Sequence, residues 1–176
     1  MSSTKVVTGK VRFSYAHVFE PTSMNEDEPK KYSTAILIPK KDKKTVQAIL
    51  DAQKAAAEEG KNKKFGGKLP ANLKMPLRDG DEEKPDDEVY AGHYFLNASS
   101  NRRPGVVDEN RNEIIDKDEF YSGCYGRASI NFFAFAGKAK GVAVGLNGVQ
   151  KLEDGESLGG ARFNADEDFG SDDDLL

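Results

Sequence analysis

The sequence lacks tryptophan altogether and has one cysteine, Cys124, and two histidines, His17 and His93. A single cysteine excludes an intrachain disulfide and points to a reducing, intracellular compartment. The two histidines are far apart, and no His-x-Glu, Cys-x-x-Cys or His-x-x-x-His spacing occurs, so no zinc site and no other metal or cofactor is expected. Long apolar runs are missing too. No stretch approaches the roughly 20 residues of a membrane helix, so no membrane contact is expected. The N-terminal MSSTKVVTGKVRF does not read as a signal peptide. The glycines of GVAVGLNG do not make a GxGxxG turn, and no Walker-type phosphate loop exists. A lone cysteine in an aromatic strand is a packing residue before it is a nucleophile. The acidic DGDEEKPDDE stretch reads as a solvated loop rather than a Mg²⁺ site. An enzyme is therefore not expected.

What is present is charge, and it is segregated. Residues 30–78 hold thirteen Lys/Arg and four Asp/Glu, whereas residues 79–119 hold five and thirteen. The last fourteen residues, FNADEDFGSDDDLL, carry six carboxylates and no cation. Without those six the formal charge of −4 becomes +2. A mildly basic body with an anionic arm suits a protein that handles a polyanion and carries its own competitor for the binding groove. At 176 residues the chain fits one domain. We expect a folded domain over 1–162 and a disordered acidic tail over 163–176, too poor in apolar surface to offset ordering entropy.

Hydrophobic alternation predicts a strand over Val6 to Tyr15, and a run of β-forming residues ended by proline predicts another over Tyr32 to Pro39. A loop over 20–31 joins them. A helix begins after the N-cap Asp42 and stops at Gly60 in a left-handed conformation. Residues 61–88 read as irregular, with KNKKFGGK a flexible basic loop. Val89 to Ser99 is a third strand, NRRPG a turn, and 108–119 a connection. Tyr125 to Ala136 and Gly141 to Leu152 are two further strands around the AGKAKG turn. Five strands, one helix and long inserted loops predict a mainly β chain, an OB-fold built as a five-stranded Greek-key barrel. An α+β sandwich is the competing architecture.

Aromatics recur beside cations within these strands: Arg12-Phe13-Ser14-Tyr15, Lys31-Tyr32, His93-Tyr94-Phe95 ahead of Arg102-Arg103, and Tyr121 to Arg127. Bases expose flat π-faces that stack on such rings, and cations between them track phosphates. Tyr tolerates partial exposure better than Phe, so Tyr15, Tyr32, Tyr94, Tyr121 and Tyr125 are the expected platforms. Arg12, Lys31, Arg102, Arg103, Arg127, Lys138 and Lys140 are the expected phosphate contacts. Gly92, Gly123 and Gly126 would let a base or backbone approach closely. Phe13, Phe133 and Phe135 are expected in the core.

The segments TGKVRFSYAHVFEP, KYSTAILIPKKDKKTVQAI and FYSGCYGRASINFFAFAGKAKGVAVGLNGVQKLEDGESLGG resemble a bacteriophage family of single-stranded DNA-binding proteins, over most of residues 5–161. The resemblance implies an OB fold, binding of single strands with little sequence preference, and a role in DNA replication, recombination and repair in the cytoplasm of an infected bacterium. It also implies that the acidic tail competes with DNA and recruits replication or recombination proteins, here through Asp172, Asp173, Asp174, Leu175 and Leu176. Related tails often end in an aromatic after proline, whereas this one ends in two leucines. Duplex DNA binding once the tail is removed is a further expectation, and a homodimer is left open. An acidic protein-interaction module that mimics DNA is the alternative function.

Overall fold

Runs of strand-forming residues set the frame, alternating over Tyr125–Ala136 and continuously apolar at the centre of Lys31–Pro39. In the computed structural model, residues 4–23, 27–137 and 139–158 are described. The elements in chain order are β1 (Lys5–Val7), β2 (Val11–Thr22), β3 (Lys31–Pro39), α1 (Lys43–Lys63), β4 (Arg78–Asp79), α2 (Gly80–Glu83), β5 (His93–Ser100), β6 (Gly105–Val107), β7 (Tyr125–Ala136) and β8 (Lys140–Glu153). The long strands close a five-membered ring, β7–β2–β3–β5–β8 and back to β7. All its pairings are antiparallel except β5–β8. Two seams are loose: β2 meets β7 only at Val11↔Gly126 and Arg12↔Tyr125, and β5 meets β8 only at Ser99↔Gly145. The result is an OB-like sheet rather than a clean barrel. The short β1, β4 and β6 attach to its edges.

The inward faces of the ring hold Phe13, Ile36, Ile38, Leu96 and Ile130, all fully buried. Side chains of this kind contribute about 1.5–3 kcal/mol each on leaving water. α1 closes the core with Ile49, Ala52 and Ala56. Its start is fixed by Asp42, whose carboxylate accepts from the Thr45 backbone N–H. Cys124 is fully buried, and that burial pushes its thiol pKa up, which suits packing and not nucleophilic chemistry.

Several expectations need correction. The first strand breaks at Thr8 to Lys10, because the Gly9 amide donates to Thr45 Oγ1 on α1 instead of to a neighbouring strand. β2 then runs on to Thr22, into the segment expected to be loop. The helix does not stop at Gly60. It continues to Lys63, so KNKK is partly helical, and Phe65 is buried rather than swinging freely. Gly60 serves close packing: a Cβ there would lie 2.2 Å from Ala134 Cβ. Residues 89–92 form turns, and β5 starts at His93. In β7 the inward parity belongs to Ala128, Ile130 and Phe132, which leaves Phe133 about half exposed and Phe135 only partly buried.

Candidate nucleic-acid interface

Strand register decides which side chains share a face. Across β7, β2, β3, β5 and β4 one outward row reads Tyr125, Arg12, Leu37, Phe95, Arg78. The next outward row reads Ser14, Ala35, Asn97, and the one after it His17, Ser33, Ser99. Between Ser14 and His17 the β2 register shifts. Tyr15 sits in that bulge at φ 47°, a left-handed conformation uncommon for an L residue, and is 67% exposed. Bulges re-aim side chains, and here the ring is turned out of the ladder.

The segment 84–92 folds over part of this outer face. Tyr90 packs on Ala35, Leu37 and Phe95, with its ring edge-on to Phe95 at 5.0 Å. What remains open is a groove in two continuous parts of about 480 and 310 Å³, both lined by Tyr15, His17 and Tyr90. The larger part adds Phe95, Asn97, Arg78 and Lys84. The smaller reaches Ser122 and Leu158.

Cations lie over the rings of this face. The Arg78 guanidinium is 5.1 Å from the Phe95 centroid and Lys84 Nζ is 5.9 Å from that of Tyr90. Lys10 and Arg12 each sit 5.3 Å from the Tyr125 centroid. Arg12 also donates to the Gly123 and Glu156 carbonyls, which pins the chain's exit from the fold. The wall carrying Arg78 is tied down by Lys40, whose ammonium binds Asp79 at 2.7 Å and Asp81 at 2.8 Å. Those contacts hold both carboxyls below the usual range and raise the lysine. Asp81 in turn accepts from the Gly92 amide.

Of the residues expected from sequence, Tyr15, Tyr125 and Arg12 meet on this face. Lys31, at the start of β3 opposite Thr22, is exposed, and so are Arg102 and Arg103 in the turn after β5. Arg103 lies over the Phe19 ring at 5.6 Å. These three extend the face at its far end. Tyr32 and Tyr94 do not join it, because both share the inward parity of Ile36 and Leu96. Tyr94 instead faces the α1 side, under Lys40 Nζ at 5.1 Å. Tyr121 packs against the core, and its hydroxyl bonds Asp154 and Gly155. Arg127, farther along β7, donates to the Thr8 carbonyl, and Lys140 opens β8 at the remote hairpin. Lys138 and all five tail residues lie outside the described residues. Gly123 and Gly126 do admit a close neighbour, but it is the chain itself: a Cβ on them would meet the Glu156 and Gln150 carbonyls at 2.0 and 1.9 Å.

Sequence reasoning missed His17, Arg78, Lys84, Tyr90, Phe95 and Asn97. The parity of Leu96 and Ala98 could have flagged Phe95 and Asn97 as outward. Tyr90 and Lys84 carry no such signal, because they reach the face from turns. No group of three or more His, Cys, Asp or Glu placed to hold a metal ion occurs among the described residues.

An OB-like ring whose outer three-stranded face carries rings and cations defines the class of oligonucleotide-binding modules. The profile of the family described as "Enterobacter phage Enc34, ssDNA-binding protein" matches residues 4–176, and the chain belongs to that family. It is 33% identical over 175 residues to the putative protein p50 of Acyrthosiphon pisum secondary endosymbiont phage 1, covering 94% of this chain and 92% of that one. The single-stranded DNA-binding protein of bacteriophage Enc34, solved in complex with ssDNA, superposes with a TM-score of 0.77 at 28% identity, over 89% of this chain and 90% of the other. Gp2.5 of bacteriophage T7, a single-stranded DNA-binding protein, shares the fold, with a TM-score of 0.62 at 14% identity over 94% of each chain.

Proposed function

We propose that this chain binds single-stranded DNA independently of sequence and coats it during phage DNA replication, recombination and repair within the infected bacterial host. Family membership supports the reading, and the observation that carries it is the groove around Tyr15. One exposed ring there stands beside Tyr90, Phe95 and the cations Arg78 and Lys84. A stacked base gains about 1–3 kcal/mol on such a ring whatever its identity, which accounts for sequence tolerance. The strand's path follows β2, from Arg12 and Tyr125 past Tyr15 and His17 toward Lys31, Arg102 and Arg103. Arg127, Lys138 and Lys140 then serve as outlying phosphate contacts. The protein is a binding protein and not an enzyme.

The acidic tail acts as a competitor for this groove. Leu158, the last described residue, lines the groove itself, so the segment bearing the six carboxylates is tethered to the groove by a short length of chain, which gives a high effective concentration there. Asp172, Asp173, Asp174, Leu175 and Leu176 also offer a recruitment site for replication or recombination proteins. The site of action is the host cytoplasm, and removal of the tail admits duplex DNA. Fluorescence anisotropy with labelled single-stranded DNA, duplex and RNA across a salt series tests the reading. Saturable binding of single strands of unrelated sequence supports it. No binding at any salt, with capture of a DNA-binding protein instead, would favour a DNA mimic.

A further inference from the structure

Stacking on Tyr15 serves any base by its face, but a base drawn into the groove also gives up water along its pairing edge. Edge groups left without partners would cancel much of what stacking provides. Ser14, Ala35 and Asn97 form one outward row across β2, β3 and β5. Two strand spacings, about 10 Å, separate the outer members of that row. The one-carbon side chain of Ala35 lies between them. That span admits one base between Asn97 and Tyr15, which follows Ser14 in the chain. Tyr15 and Asn97 line the same cavity of about 480 Å³.

Asn97 is exposed, and its side chain has no hydrogen-bond partner among the described residues. It is also the one carboxamide that lines either part of the groove among those residues. Arg78 and Lys84 can only donate there, and an ionised Asp87 can only accept. A carboxamide carries a donor and an acceptor side by side, and with no partner holding it the group can turn over. Every base presents the matching pair on its pairing edge: N6–H beside N1 in adenine, N4–H beside N3 in cytosine, O4 beside N3–H in thymine and O6 beside N1–H in guanine. We propose that Asn97 reads this shared feature of the base edge, its amide turned one way for adenine and cytosine and the other way for thymine and guanine. The inference rests on the single-strand reading above and adds the residue that keeps binding independent of sequence.

The test measures fluorescence anisotropy of the full chain with two probes. One is an oligonucleotide of about twelve thymidines, within the usual site range of such a fold. In the other, difluorotoluene, a thymine isostere that forms no strong hydrogen bonds at its edge, replaces every thymine. The parent should favour thymine about fivefold. Asn97→Leu, close in volume and at an exposed position, should fold normally and lose that preference. Asn97→Asp offers acceptors alone. It should favour strands of alternating guanine and thymine over thymine alone by about fivefold, because guanine N1–H and N2–H meet a carboxylate as a pair. Equal binding of thymine and isostere by the parent, a preference that survives in Asn97→Leu, or no guanine preference in Asn97→Asp would overturn the role of Asn97 while single-strand binding stands. Absence of thymine binding altogether would overturn both.

Discussion

Arg78 lies over the buried ring of Phe95 while two of its nitrogens grip the Glu83 carboxylate at 2.6–3.0 Å. Phe95 is only 3% exposed, covered by this guanidinium and by Tyr90, so a base reaches the ring only after that cover moves aside. Glu83 thus holds the Arg78 guanidinium against the Phe95 ring. Both groups are solvent-accessible, and an exposed pair of this kind adds little to stability. Glu83→Gln should therefore leave the melting temperature nearly unchanged, raise affinity for single strands, and steepen the log–log salt slope by about 0.7, the value for one more neutralised phosphate. Anisotropy titrations from low to moderate salt read both quantities.

Tyr15 is the most exposed aromatic ring in the groove, and its backbone is in the left-handed region. Tyr15→Ala should weaken single-strand binding roughly 5- to 150-fold, the equivalent of one stacked base. Tyr15→Gly should weaken it as much while gaining stability, because glycine takes a positive φ without steric cost. Paired binding and thermal-melting measurements separate these effects. Parent-like affinity in both variants would remove Tyr15 from the interface.

Deleting residues 163–176 removes six carboxylates. Affinity for single strands should rise most at low salt, where screening is weakest, and converge with the full-length value as salt increases. Duplex binding should become measurable in the truncated chain. Equal affinities for both forms across the salt series would remove the tail from the groove.

The tie between Lys40 and the carboxylates of Asp79 and Asp81 predicts an acid-sensitive wall. Both carboxyls are held below their ordinary pKa in the folded chain. Groups lowered in this way lend their stability in full above the unfolded carboxylate value, about 4, and lose it as pH falls through the folded values. Exchange of the Gly92 amide, which Asp81 holds, should accelerate below pH 4 well before that of core amides such as Ile36. Lys40→Met should abolish this difference by raising Gly92 exchange already at neutral pH.

The ring was readable because its strands are eight or more residues long and rich in β-formers, alternating clearly in β7, and because turn residues mark their ends. The short elements were not. β4 and α2 lie in Arg78-Asp79-Gly80-Asp81-Glu82-Glu83, which has neither alternation nor an apolar stripe, and their order comes from Lys40 and from pairing with β5. Gly60 reads locally as a helix stop, but what decides it is the approach of Ala134 from a strand more than seventy residues away. The site was legible as chemistry and less so as geometry. Tyr94 attracts attention for its hydroxyl, yet the inward parity of Leu96 and Ala98 sends it to the α1 side and brings Phe95 outward. Tyr90, beyond the strand, reaches the face only through the fold of residues 84–92.

The most direct test follows backbone amide signals of the ¹⁵N-labelled chain while an oligothymidylate is added. Binding along the outer face of β2, β3 and β5 requires the largest shifts at Tyr15, His17, Ser33 and Asn97, with Lys84 and Tyr90 moving alongside. Shifts centred instead on the β7–β8 hairpin or on α1, with those residues still, would contradict the account.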